Sequence, residues 1–465
     1  MQATDETCDV VVVGAGMAGL AAAHHLIRSG GGGAAAPSVL VLEGADCVGG
    51  RIRAVPWSDG LTLNVGAHWV AGDGPLNPLD PLLEAALSAS VAKGSKLTDF
   101  DPEDMPMLGA DGSLLSYDWS PLTAAFERVR ALPRLPHLPD RSIDAALAAE
   151  GWSPETDEDR LALWFLCDCE WGLPPRETPV RHTVPAPYLA FGGGQRLVAT
   201  DGGTPDLLSP LVEAVRRRQG CLRLGERVTA VSREPGGLLV RTAGRRVLAR
   251  AVIVTASLSV IASGAIAFAP PLAEAKARAL AAHRTDCVAQ YEVVIAEFGS
   301  RFWAERTPEG RPCLLYAGAP RMLLHDLGSY YGGRPILEFH LAGAEAVRLA
   351  AQPPERTRAE LMAVLRGAFG AGVPEPTRMH CTSWGSDPLT LGSFGVRPMG
   401  MTDEEHASLR RPCMGGRLLF AGDGLHEVHC GYMHAAYLSG IDAARAALSV
   451  LASDASSGSR CSRPN

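Results

Sequence analysis

An apolar run that breaks into regularly spaced glycines constrains this chain more than any other feature. Residues 9–19 read Asp9-Val-Val-Val-Val-Gly14-Ala-Gly16-Met-Ala-Gly19, and an alanine-rich stretch follows. Four consecutive valines suit a fully buried parallel strand. Gly14 allows the sharp turn out of that strand, and Gly16 has no side chain to hold a pyrophosphate off the backbone. Gly19 lets the following helix pack closely on the strand. The helix N-terminus then offers free N–H groups and a positive dipole end to phosphates. The glycine pattern alone arises by chance in an Ala/Gly-rich chain, so the context carries the inference. A second strand, Val39-Leu-Val-Leu, ends in Glu43, an acid placed to accept hydrogen bonds from ribose hydroxyls. Glu43 comes later after the glycines than is usual, and the insert Gly30–Pro37 accounts for the delay as a lengthened loop. These residues predict a dinucleotide site.

At 465 residues the chain exceeds one ordinary core, so two intertwined domains are expected. Hydrophobic content of 46% and charged content of 20% describe a soluble globular protein. A net charge of −8 argues against nucleic acid as the main partner. No apolar run is long enough to span a bilayer, and the N-terminus lacks a basic-then-apolar leader, so the cytoplasm is the expected location. The 11 cysteines are scattered through apolar stretches and read as reduced core thiols. Cys167-Asp-Cys169 is not a C-x-x-C redox pair. Three lysines, Lys93, Lys96 and Lys276, are the whole complement.

Further along, Gly49-Gly50-Arg51 reads as a tight turn delivering an arginine, and Leu61 to Trp69 as a strand entering a glycine bend. Residues 76–190 are richer in Pro, Asp and Trp, with helix-like pieces at Ser142–Glu150 and Asp159–Cys167. Asp206–Arg218 reads as a helix and Leu222–Val231 as one strand. Ala251–Thr255, Tyr291–Phe298, Pro335–Leu341 and Leu418–Asp423 read as strands, and Arg356–Phe369 as a helix. Tyr432–Leu451 reads as a long final helix, followed by a Ser-rich tail. His426-Glu-Val-His429 falls one residue short of H-E-x-x-H, so no metal is expected there.

Taken together, these segments resemble the flavin-containing amine oxidases, most closely the polyamine oxidase branch. The resemblance is carried by Gly14-x-Gly16-x-x-Gly19, Glu43, Gly49-Gly50-Arg51, Gly66-Ala-His68-Trp69, Thr255-Ala-Ser-Leu258, Phe302-Trp303, Ala421-Gly-Asp423 and Gly431-Tyr-Met-His-Ala-Ala-Tyr437-Leu438-Ser-Gly440. It implies an α/β fold in which a Rossmann-like FAD-binding domain (1–75, 195–280 and 380–452) is intertwined with an α+β substrate-binding domain (76–194 and 281–379). Residues 453–465 are left as a disordered tail. FAD would be held noncovalently by Gly14, Gly16, Gly19, Glu43, Gly50, Arg51, Val228, Trp384, Asp423 and Leu438. Arg51 would neutralise the pyrophosphate, Asp423 would bind the ribityl–phosphate portion, and Val228 would pair with the adenine edge. Trp69, Trp384, Phe394 and Tyr437 would surround the flavin and the bound amine, with Phe394 and Tyr437 sandwiching it. The residues alone leave Trp384 and Phe394 readable as plain core aromatics. Small-molecule amine and dioxygen are the implied partners, and imine and hydrogen peroxide the products.

The resemblance breaks at three positions. The family carries a lysine in the strand before its Phe-Trp pair. Counting back from Phe302-Trp303 lands on Val293, while counting forward from Lys276 lands on Gln290, and neither is lysine. The acid or histidine expected just after Trp69-Val70 is Ala71, and the acid expected just before Pro174-Pro175 is Leu173. Glu292 could replace the lysine's proton-handling role, and Glu170 and His68 are the substrate contacts that remain. A polycation needs carboxylates to replace its hydration, so the losses point to a shorter or more apolar amine. Two other readings stay open: a flavin-dependent desaturase or oxidase of an apolar substrate, and a flavin-holding interaction protein without turnover.

Overall fold

The computed structural model describes residues 4–30, 35–72, 74–90, 95–98, 105–132, 140–183, 191, 194–283, 289–307 and 312–460. The core of the Gly30–Pro37 insert, residues 31–34, lies outside them. An eight-stranded sheet runs in the spatial order Leu222–Arg223, Val39–Leu42, Thr4–Val13, Arg245–Val254, Gly237–Thr242, Val228–Glu234 and Ala267–Ala269. Leu418–Phe420 pairs with the C-terminal end of Arg245–Val254. Thr4–Val13 is parallel to both its neighbours. Its valines are buried because helices cover the sheet. The first helix, Met17–Arg28, and the last, Met433–Arg460, pack on Val10, Val12 and Ile253 through Leu20, Leu26, Ala444 and Ala447. The two helices touch where Gly440 has no side chain: a Cβ there would lie 2.2 Å from the Ala18 carbonyl oxygen.

A second, seven-stranded sheet has the order Arg378–Cys381, Tyr291–Glu297, Ile336–Ala342, Met322–Asp326, Cys313–Tyr316, Met107–Leu108 and Leu114–Leu115. Register sets Val293 and Leu323 opposite His340, and Ile295 and His325 opposite Glu338. Since strand side chains alternate, Tyr291, Val293, His325, Glu338 and His340 share one face. Val294, Leu337, Phe339 and Leu341 occupy the other and fill an apolar core.

Asp157–Trp164 begins at a capping box, in which the Thr156 hydroxyl accepts from the Asp159 N–H and the Asp159 carboxylate accepts from the Thr156 N–H. The helix continues as a single π-type turn at Phe165–Cys169, an irregularity that changes which side chains face inward. Two sequence expectations are corrected. Leu222–Val231 is two strands, interrupted at Gly225, whose φ is +68°. The final helix runs past 453 to Arg460, anchored where Asp454 pairs with Arg417 at 2.6 Å and Arg250 at 3.3 Å; residues 461–465 lie outside the described residues. No described helix is long and apolar enough to cross a membrane.

Candidate active site

The carboxyl ends of four strands converge: Val13 leads to Gly14, Leu42 to Glu43, Val254 to Thr255, and Phe420 to Asp423. In an open parallel sheet this is where ligands bind. A cleft of about 170 Å³ opens there, lined by Gly14, Gly16, Glu43, Gly50, Arg51, Val228 and Asp423 among others. Gly14 turns the chain with φ +105°. Gly19 cannot be anything larger, since a Cβ would sit 2.0 Å from the Gly14 carbonyl oxygen. Gly16 differs in kind. Its φ of −76° suits any residue, and the nearest atom to an added Cβ is the Gly49 carbonyl oxygen at 3.8 Å. A side chain there would enter the cleft without striking the protein. The Glu43 carboxylate accepts from the Ala15 N–H at 2.6 Å and the Ala45 N–H at 2.8 Å. It therefore fixes the glycine loop as well as facing the cleft. Arg51 and Asp423 pair directly, and Asp423 also accepts from the Gly395 N–H at 2.6 Å. A backbone cradle, a helix N-terminus, an acid and a guanidinium in one groove fit a dinucleotide such as FAD.

A larger cavity of about 530 Å³ adjoins the cleft. Tyr291, Val293 and His340 of the second sheet form part of its wall, with Trp69, Trp119, Phe126, Phe165 and Trp384. The two cavities share Arg51, Ala67, Ser393, Phe394, Tyr432 and Met433 at their junction. Trp69 stacks on His325 with centroids 5.6 Å apart, and the Arg53 guanidinium lies 5.4 Å from the Trp384 ring centroid. The π-type turn brings Phe165, Leu166, Cys169 and the following Glu170 to the wall. Glu170 lines the cavity with its side chain exposed, and desolvation by the surrounding wall raises its carboxyl pKa. Among the described residues no cation pairs with it. His68 is buried at the same wall, with its Nδ1 bonded to the Gly66 carbonyl at 2.7 Å.

Besides Gly19, which packs on Gly14 and lines neither cavity, three expected site residues lie elsewhere. Tyr437 lines neither cavity and packs against the core of the first sheet. Five positions earlier, at the helix entry, Tyr432 lines both. Five residues at 100° each turn the later tyrosine well away from that direction. Leu438, on the same helix, also lines neither. Glu292 points away from the cavity because its strand neighbours Tyr291 and Val293 point into it. Its carboxyl accepts from the Thr382 hydroxyl at 2.5 Å and the Gly385 N–H at 3.1 Å. Burial nevertheless pushes its pKa up. The backward count from Phe302-Trp303, which lands on Val293, is therefore the one that reaches the cavity.

Sequence reasoning, which named only His68, also missed a polar cluster built into the wall. Glu338 is 1% exposed, and one of its oxygens lies 3.0 Å from His340 Nε2 and 3.1 Å from His325 Nδ1. Burial opposes its ionisation, but His340, His68 and His325 outweigh that and hold the carboxyl well below its usual range. The available signal was polar residues at alternate positions, Glu338 and His340, in an otherwise apolar strand.

A dinucleotide cleft opening into an aromatic cavity fits an enzyme that brings a dinucleotide cofactor against a small organic substrate. The chain belongs to the flavin-containing amine oxidoreductase family, whose model matches residues 17–448, and it is an FAD-dependent oxidoreductase acting on amines. It is 31% identical to polyamine oxidase 1 of Zea mays over 462 residues, covering 94% of this chain and 89% of that protein. Polyamine oxidase 7 of Oryza sativa subsp. japonica is 30% identical over 458 residues, covering 93% of each chain. Among solved structures, cyclohexylamine oxidase from Brevibacterium oxydans IH-35A superposes with a TM-score of 0.74 at 21% identity, covering 96% of this chain and 99% of that one.

Proposed function

We propose that this enzyme oxidises a short or largely apolar amine whose single ammonium group is held by Glu170. The carrying observation is the composition of the larger cavity, in which Glu170 is the one carboxylate among the described lining residues and aromatic rings supply much of the rest. Ala71 is buried in the short strand after Trp69. Leu173 packs in a small apolar core with Ala289 and Val396. Neither leaves a charge for the second or third ammonium of a polyamine, and an unpaired buried charge is costly. Phe394 and Tyr432, at the junction, hold the reacting carbon toward the cleft. Arg51, Glu43, Asp423, Val228 and the glycine loop hold FAD, which supplies the two-electron acceptor when bound. Dioxygen is the second substrate. In this reading 1–75, 195–280 and 380–452 form the FAD-binding unit, and 76–194 with 281–379 the substrate unit.

The test is peroxide release with cyclohexylamine, putrescine, spermidine and spermine, each on wild type and Glu170→Gln. The expected result is a higher kcat/KM for the monoamine than for spermine, and a KM raised by about 10²-fold in Glu170→Gln, from the loss of an ion pair that substrate binding would bury. Preference for spermine, or flavin bleached only by a non-amine, overturns the proposal.

A further inference from the structure

Tyr291, His340 and His68 line the larger cavity, and Glu338 lies buried behind them. Tyr291, which lines the cavity, has its hydroxyl 2.7 Å from His340 Nδ1. His340 Nε2 lies 3.0 Å from Glu338 Oε2, and His68 Nε2 lies 3.9 Å from the same oxygen. The directions of these bonds follow from their partners. The ionised Glu338 only accepts, so His340 Nε2 and His325 Nδ1 carry protons toward it. His340 Nδ1 then has a lone pair and accepts from the Tyr291 hydroxyl. His68 Nδ1 must donate to the Gly66 carbonyl. Its Nε2 makes no hydrogen bond among the described residues and looks toward the carboxylate. A lone pair there faces a negative charge, and a proton there makes an ion pair.

We propose that Tyr291, His340, Glu338 and His68 form a proton relay that removes the proton from the substrate ammonium before oxidation. The relay rests on the reading of this cavity as the amine site. The ammonium N–H proton passes to the Tyr291 oxygen as the tyrosine's own proton moves to His340 Nδ1. The His340 Nε2 proton passes to Glu338 and on to His68 Nε2. One N–H bond breaks at the substrate, freeing its lone pair, and one forms at His68; no electron leaves the amine in this step. The positive charge moves from an aromatic cavity to a site beside a buried carboxylate. The pH response depends on the titratable neighbours: besides the four relay groups and His325, these include Glu170, the thiols of Cys169 and Cys313, the phenols of Tyr330 and Tyr331, and Asp326, which is paired with Arg301. Burial pushes the His68 pKa down, with Glu338 opposing. The ligating atoms of His325, Glu338 and His340 also lie within 4.8 Å of one another, so metal content enters the test.

The experiment is NMR of the FAD-loaded protein carrying Cε1-labelled histidine, assigned with His68→Gln, His325→Gln and His340→Gln. On titration from about pH 5 to 9, the His68 midpoint is expected to fall by roughly one unit or more in Glu338→Gln. An unchanged midpoint overturns the relay. Spermidine or cyclohexylamine is then added to dithionite-reduced protein, where no turnover occurs. The His68 resonance should move toward its protonated position in wild type and stay in place in Tyr291→Phe; no movement in wild type, or equal movement in both, overturns it. In anaerobic flavin reduction by the same amines, Tyr291→Phe should be slower by about 10–10²-fold at pH 7. That gap should narrow as pH rises past about 10.4, the ordinary alkylammonium pKa, where the dissolved amine becomes mostly neutral; a loss equal at every pH marks a structural role and overturns the relay. If neither amine reduces wild-type flavin, the substrate reading fails, while the His68 titration still decides whether the cluster holds the proton. Stoichiometric transition metal in the purified protein also overturns the relay.

Discussion

Replacing Gly16 with valine separates cofactor binding from folding. The backbone at Gly16, with φ −76° and ψ −175°, is open to L residues. The nearest atoms to an added Cβ are the Gly49 carbonyl oxygen at 3.8 Å and Gly50 Cα at 4.0 Å, both at ordinary contact. Gly16 sits at the helix N-cap without a side-chain bond to lose, so the apoprotein should be weakened by about 1 kcal/mol or less. The added methyls occupy the cleft instead. If they displace a phosphate from two backbone N–H groups, each charge-assisted bond is worth about 1.5–3 kcal/mol. FAD should then bind roughly 10²–10⁴-fold more weakly. Gly19→Ala is the contrasting control. Its Cβ would meet backbone at 2.0 Å, and the overpacking should cost about 1–3 kcal/mol of fold stability. Flavin content from the visible-to-ultraviolet absorbance ratio, with melting of the FAD-stripped proteins, distinguishes the two. A Gly16→Val protein that retains wild-type flavin, or whose apo form melts as early as Gly19→Ala, refutes the reasoning.

Val293→Lys should change the rate of anaerobic flavin reduction, because Val293 lines the cavity. Glu292→Lys should instead destabilise by about 3–5 kcal/mol through a broken buried network, and Gln290→Lys should leave the rate unchanged; stopped-flow reduction and denaturant melts report these. Tyr432→Ala should lower kcat/KM by about 10²-fold by removing a positioning ring. Tyr437→Ala should leave kcat/KM within about 3-fold while costing about 1–3 kcal/mol of core packing. The Gly392-Ser393-Phe394 segment offers no cysteine for flavin attachment, so heat or acid precipitation should leave yellow FAD in the supernatant and a colourless pellet. Asp454→Asn should lower Tm slightly at pH 7, by about 0.5–1 kcal/mol of ion-pair stability. Asp454 has a folded-state pKa lowered by Arg417 and Arg250, so its contribution is present above the ordinary carboxylate pKa and fades as pH falls through the lowered value. The two melts should therefore converge in acid.

The dinucleotide half of the site was legible because its determinants are local. Gly14, Gly16 and Gly19 act within one turn, and Glu43 reaches the same loop from the adjacent parallel strand. Each residue type is imposed by backbone geometry, which leaves a pattern in linear sequence. The substrate half depends on direction, which no spacing rule supplies across a helix entry or an uncertain strand register. Tyr432 and Tyr437 belong to one short block of residues, and only the helix start at Met433 decides which faces the junction. A disagreement of three residues over the missing lysine amounts to a change of strand face, which is why Glu292 looked as eligible as Val293.

The His340–Glu338 pair shows the same limit from the other side. Within Ile336–Ala342 the pattern Ile-Leu-Glu-Phe-His-Leu-Ala alternates, yet every residue is buried, so the polar positions could not mark a solvent face. Buried polar residues at alternate strand positions require partners, and these come from three other places: His325 on the adjacent strand, Tyr291 on the opposite neighbour, and His68 after the Gly66 bend. Each is separated from Glu338 by sheet pairing or by more than half of the chain, so no local spacing joins them. In a single sequence the informative fact is therefore the debt rather than the partner: a carboxylate and an imidazole placed in a core strand oblige the fold to bring matching groups to the same face. Here that face is also the wall of the amine cavity, which ties a folding requirement to the handling of the substrate's proton.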